Sequence, residues 1–193
     1  LLIAGLGLIL GLQQGFLPSA GAKRAVMWQG IAPPMSVHQA SERAEPRVRT
    51  WSEDAYPIWV KGTWRPNPDQ VEAAQPPVAW VLYYYAPSKG QMASVTVKGE
   101  DVLWVPPTDL MTPPEPLAPF PPPHGIEGAW LSFRAAGGDT FLEKYADAQV
   151  QYRLHQSENE PGKVVWTITG WMDEDMFKVT IDATSGRVLS TSS

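Results

Sequence analysis

Phe177-Lys178-Val179-Thr180-Ile181-Asp182-Ala183-Thr184-Ser185-Gly186-Arg187-Val188-Leu189 is the stretch on which the reading of this chain turns. Val179 and Ile181 lie two apart, so in an extended chain both point to one side, and the β-branched residues around them favour that conformation. Asp182 can bond the backbone two residues on, and Gly186 can take positive φ, so the segment between them reads as a turn. Val188 then returns to the same buried face as Val179 and Ile181. A strand, a turn and a returning strand require a sheet to join.

Upstream, the same pattern repeats. Val164-Val165-Trp166-Thr167-Ile168-Thr169 is a second β-rich run, separated from Met176 to Asp182 by the acidic hairpin turn Asp173-Glu174-Asp175. Gln149 to His155 is a further strand, ending at the polar turn Gln156 to Gly162. Before it, Gly128 to Ala136 has helical spacing, with Trp130, Leu131 and Phe133 as apolar positions and Gly137-Gly138 as the interruption. The C-terminal half is a helix followed by an antiparallel sheet.

The N-terminal half has the same order. Ser36 to Arg49 reads as a helix damaged by Pro46, followed by strands at Tyr56 to Trp64, Ala79 to Tyr85, Met92 to Val97 and Val102 to Val105. Asp54-Ala55 corresponds to Asp147-Ala148, Val78-Ala79-Trp80 to Val164-Val165-Trp166, and Ser94-Val95-Thr96-Val97 to Lys178-Val179-Thr180-Ile181. Between the halves, nine of the 20 prolines fall in Pro106 to Pro123, which predicts a stiff polyproline-II spacer whose apolar contacts are Leu110, Met111, Leu117 and Phe120. Pro113 to Pro116 also fits a Pro-x-x-Pro ligand, a match that any proline-rich spacer produces by chance. The expected fold is α+β: one N-terminal transmembrane helix, then two small tandem helix-plus-antiparallel-sheet domains, 36–105 and 126–193, joined by a Pro-rich linker at 106–125.

The helix running into Ala135-Ala136-Gly137-Gly138, the strand Val165-Trp166-Thr167-Ile168 and the Asp182-Ala183-x-x-Gly186-x-Val188 hairpin together resemble the PepSY domain. The resemblance covers roughly residues 126 to 190, with a weaker echo over 36 to 105, where Lys98-Gly99-Glu100-Asp101 stands in place of the fuller turn. It implies a module of a helix on an antiparallel sheet, extracytoplasmic or membrane-attached, in a family that includes segments restraining peptidases. It implies structural motif residues and no catalytic ones.

The N-terminus is of another kind. Leu1 to Pro18 is an apolar run with Gly7, Gly11 and Gly15 spaced by four, so in a helix they share one face and leave a groove for a second helix. Eighteen residues at about 1.5 Å each reach about 27 Å, close to the hydrocarbon thickness. Residues 1–22 are therefore expected to be a single-pass anchor and 23–35 a juxtamembrane linker, with Phe16 and Trp28 at the membrane interface. The competing reading is a signal peptide, with Ser19-Ala20-Gly21-Ala22 as its small-residue cleavage site. Lys23 and Arg24 pull their flank towards the cytoplasm, whereas an uncleaved signal anchor would place residues 25–193 outside.

Composition narrows the chemistry. A net charge of −5 with no basic stripe argues against nucleic acid, and the absence of cysteine removes disulfides, thiolate metal sites and Cys nucleophiles. His38, His124 and His155 are not at ligand spacing, and Asp173-Glu174-Asp175 lacks the glycine and distal glutamate of a calcium loop. Triads, phosphate-cradling loops and paired carboxylates have no framework. The sequence therefore predicts no enzyme, no cofactor, no metal and no small-molecule substrate. It predicts an extracytoplasmic accessory or scaffold subunit docked on a larger integral membrane complex, such as a respiratory or photosynthetic one, with a peptidase-restraining or ligand-sensing module as the alternative.

Overall fold

The computed structural model describes residues 35–64 and 79–193. The anchor and juxtamembrane expectations, with Gly7, Gly11, Gly15, Phe16 and Trp28, lie outside the described residues. Among those described, no helix is long and apolar enough to cross a membrane.

Helix α1 spans Val37–Trp51 and is followed by strands β1 (Tyr56–Trp64), β2 (Trp80–Ala86), β3 (Gln91–Lys98) and β4 (Asp101–Asp109). A second helical region comprises α2 (Ile126–Phe133), a π turn over Arg134–Gly138 and α3 (Asp139–Lys144). Strands β5 (Gln149–Gln156), β6 (Val164–Met172), β7 (Asp175–Asp182) and β8 (Val188–Ser192) complete the chain.

All eight strands form one antiparallel sheet in the order β4-β3-β2-β1-β5-β6-β7-β8. This overturns the expectation of two small tandem domains joined by a spacer. The first strands of the two halves pair with each other, from Val60↔Leu154 to Trp64↔Val150, so the sheet is continuous across the middle. The physical reason is the edge. Each half alone would leave its first strand with a row of unpaired backbone groups, and pairing β1 with β5 satisfies both rows at once.

Cross-strand partners project to the same side of a sheet, so the register sorts the faces. Val60, Trp64, Trp80, Leu82, Tyr84, Val95 and Val97 share one face with Val150, Tyr152, Leu154, Trp166, Ile168, Val179 and Ile181, and all belong to one buried core. Helix α1 covers one end of this face with Ala40, Ala44 and Val48, and α2 covers the other with Ala129, Trp130 and Phe133.

Helix α1 runs through Pro46 and is not broken there. Its start is fixed by a capping box in which the Ser36 hydroxyl accepts from Gln39 N–H and the Gln39 side chain accepts from Ser36 N–H. The buried stripe of Ala40, Ala44 and Val48 at four-residue spacing holds the rest against the sheet, outweighing one lost backbone bond. The second helical region does break where the glycines stand: Gly137 has φ +118°, which a side-chain-bearing residue rarely adopts. Of the three apolar positions, Trp130 and Phe133 are buried and Leu131 is exposed.

The proline segment also departs from expectation. Strand β4 continues through Pro106 and Pro107 to Asp109, which is tolerated because β4 is the sheet edge and has no outer partner to donate to. Beyond it the chain is a strap along the lower end of the sheet. Leu110 N–H donates to Gly90 O, Tyr56 Oη to Pro114 O, Leu117 N–H to Pro57 O, the Gln156 amide to Pro116 O, and His124 N–H to Ala183 O. Leu117 is buried and Phe120 packs on the core, while Met111 is fully exposed. The carbonyls of Pro114 and Pro116 are thus engaged inside the fold.

The two halves meet this shared sheet in equivalent ways. Trp80 and Trp166 are fully buried, with ring centroids 6.2 Å apart. The Trp80 indole N–H donates to Met35 O at 2.7 Å and the Trp166 indole N–H to His124 O at 2.8 Å. Met35 and His124 each stand two residues before the first helical residue of their half, so each tryptophan ties its sheet to the entry of its helix.

Candidate interaction face

No described helix packs on the second face of the sheet. The register places Trp59, Lys61, Val81 and Tyr83 on it from the N-terminal half, and Arg153, His155, Thr167, Thr169, Lys178 and Thr180 from the C-terminal half. Tyr83 and Tyr85 face this side while Tyr84 enters the core, which is the division that alternation predicts for Tyr83-Tyr84-Tyr85.

The centre of the face is a stack. Trp59 and Tyr83 are cross-strand partners whose rings lie 4.7 Å apart and nearly parallel, and the Arg153 guanidinium sits 4.8 Å from the Trp59 ring centroid. A cation over an indole face is attracted by the ring quadrupole. Burial pushes the Tyr83 phenol above its ordinary range, opposed by the nearby Arg153 charge. Lys61 and Arg153 are directly opposite each other across the β1/β5 junction. The indole N–H of Trp59 and the Nε–H of Arg153 are enclosed, and neither has an acceptor among the described residues.

His155 sits beside this stack, with one ring nitrogen 2.7 Å from Gln156 O and the other 2.9 Å from the Thr167 hydroxyl. Burial holds its imidazole below the usual range, the Arg153 charge adding to that and the Gln156 carbonyl opposing it. Both nitrogens are occupied by local partners, so this histidine is a capped strand end. His38 is exposed and lies 3.4 Å from Glu42 one helical turn on. The His124 ring is a wedge between α2 and the β7/β8 turn: a Cβ on Gly128 or on Gly186 would come within 2.4 Å of it. Among the described residues, no group of three or more His, Asp or Glu is arranged to hold a metal ion.

The turn read from Asp182 and Gly186 is built as its residues dictate. The Asp182 carboxylate accepts from Thr184 N–H at 2.8 Å and Ser185 N–H at 2.9 Å, and Gly186 takes φ +75°. Those amide bonds, Ser185 first, hold the Asp182 carboxyl below the usual range against the opposing effect of burial, with Lys163 adding a smaller effect. Val188, expected to join Val179 and Ile181 inside, is exposed on the last strand. Asp173 and Glu174 form the exposed β6/β7 turn, with Asp173 at φ +52°, and Asp175 opens β7.

The turns are encoded by neighbouring residues, and the stack is not. Trp59 and Arg153 are 94 positions apart, and only the β1/β5 pairing brings them together. No family model matches the chain, and no curated protein matches it. Among solved structures, a protein of Clostridium difficile 630 described as a candidate lipoprotein is similar at 12% identity, with a TM-score of 0.48 over 86% of this chain and 97% of that one.

Proposed function

We propose that this protein is a non-catalytic accessory subunit, held at the membrane by its apolar N-terminal run and docked on a larger membrane complex from the extracytoplasmic side. The observation that carries the reading is the run Leu1 to Pro18 with Gly7, Gly11 and Gly15 in four-residue spacing, a pattern suited to close helix packing in lipid. The sheet supports it from the other end of the chain. Its helices occupy one face, and the second face carries a built aromatic and cationic centre free of any described helix.

Extraction in mild detergent followed by size separation tests the reading. A stoichiometric complex containing the chain is the expected result, and replacement of Gly7, Gly11 and Gly15 by Leu should release the chain from it. A chain that migrates alone under the mildest extraction contradicts the reading.

A second reading, a peptidase-restraining or ligand-sensing module of PepSY type, is favoured by the Asp182 turn, whose residues carry the resemblance. Inhibition of a co-expressed peptidase by the monomeric chain is the outcome that would select it.

A further inference from the structure

We infer that the second face of the sheet receives an acidic, extended segment of a partner protein, seated on the Lys61 and Arg153 pair and the Trp59–Tyr83 stack. The inference rests on the docking reading above and names the chemistry of one contact within it.

Charge is the first argument. The chain has 20 acidic and 15 basic residues, yet the middle of this face is cationic. Lys61, Arg153 and Lys178 have as their cross-strand neighbours Val81, Thr167, Thr169, Ser192 and each other, with no carboxylate among them. Like charges directly opposite on paired strands are unfavourable, and Lys61 faces Arg153 in that way at the junction of the halves. The two aspartates that the register places on this face are elsewhere engaged or distant. Asp101 lies on the edge strand opposite Lys98, and Asp182 is committed to the amides of its own turn and to Lys163 at 3.7 Å.

Hydrogen bonding is the second. The Trp59 indole N–H and the Arg153 Nε–H are enclosed, so a partner's carboxylate meets the Lys61 ammonium and the terminal nitrogens of the Arg153 guanidinium and separates the two like charges. The number of cations sets the class. Three suit a few carboxylates, whereas tracking a nucleic acid backbone requires a long basic stripe. The threonines at 169 and 180 offer hydroxyls along the pleat to an extended backbone.

The test uses the full chain in detergent micelles and a fluorescent octaglutamate peptide, followed by anisotropy, with octalysine as the control. The expected result is binding that weakens as salt rises, and about a tenfold loss of affinity in Lys61→Gln/Arg153→Gln/Lys178→Gln with unchanged far-ultraviolet circular dichroism. Salt dependence of the unsubstituted chain is a readout that needs no variant. Absence of octaglutamate binding, or equal affinity in the triple variant, overturns the inference. So does binding that emerges only when residues 65–78 are deleted, which would assign the face to that segment. Co-purification of the complex reports on the docking reading separately, so the two can fail independently.

Discussion

The second strand of each half begins from the same plan and finishes differently. Trp80 and Trp166 occupy equivalent register positions, as do Leu82 and Ile168, but the next inward position is Tyr84 in one half and Gly170 in the other. Tyr84 fills its own space beneath α1 and is nearly buried. At Gly170 the space is taken by a neighbour: a Cβ there would lie 2.8 Å from the Phe141 ring, which α3 supplies. The N-terminal half has one continuous helix and a large strand residue, the C-terminal half a broken helix and a glycine. Interior volume is conserved by an exchange between strand and helix, as close packing demands.

The equivalence can be broken first at the tryptophans. Trp80→Ala and Trp166→Ala should each cost about 3–5 kcal/mol in denaturant unfolding, since each removes a fully buried indole and the donor to a helix-entry carbonyl. Because the rings are 6.2 Å apart, the double variant should deviate from the sum of the two losses. Additive losses in two separate transitions would restore the two-domain picture.

The exchange of volume is sharpened by Gly170→Ala. It should destabilise by about 1–3 kcal/mol through overpacking against Phe141, and Phe141→Leu should recover part of that loss. An unaltered midpoint in the single variant would show that the Phe141 ring yields freely.

The smallest effect compares two turn aspartates. Asp54 in the N-terminal half accepts from Ser52 Oγ at 2.6 Å and Ser88 N–H at 2.7 Å, and these bonds hold its carboxyl below the usual range, as the Ser185 and Thr184 amides do for Asp182. A depressed carboxyl contributes stability above its unfolded value near 3.8 that is lost as pH falls through the lower folded value. Acid unfolding of the intact chain should therefore steepen below about pH 4, and Asp54→Asn/Asp182→Asn should flatten the profile there. An unchanged profile in the double variant contradicts the assignment.

Much of this was legible in the residues themselves. The β-rich composition placed β1 at Tyr56 to Trp64, and the tripeptides Val78-Ala79-Trp80 and Val164-Val165-Trp166 matched Trp80 with Trp166, because those signals are local. The short polar turns at Asp173 and Asp182 were readable for the same reason. The joining of the halves was not, since β1 and β5 each look like a complete strand and no local feature names their partner. The strap over Leu110 to His124 was hidden by its prolines, whose composition speaks for stiffness and not for the carbonyls that Tyr56 and Gln156 engage. The Trp59, Tyr83 and Arg153 stack depends on the same long-range pairing and was out of reach with it.

The central structural claim is that the halves share one sheet through β1 and β5. Hydrogen exchange of the full chain carrying Leu154→Ala, a fully buried residue opposite Val60 at the junction, tests it most directly. One continuous sheet predicts faster exchange in β2 and β3 as well as in β6 and β7, because loss at the junction lowers the stability of both halves together. Unchanged protection in β2 and β3 alongside loss in β6 and β7 would contradict it.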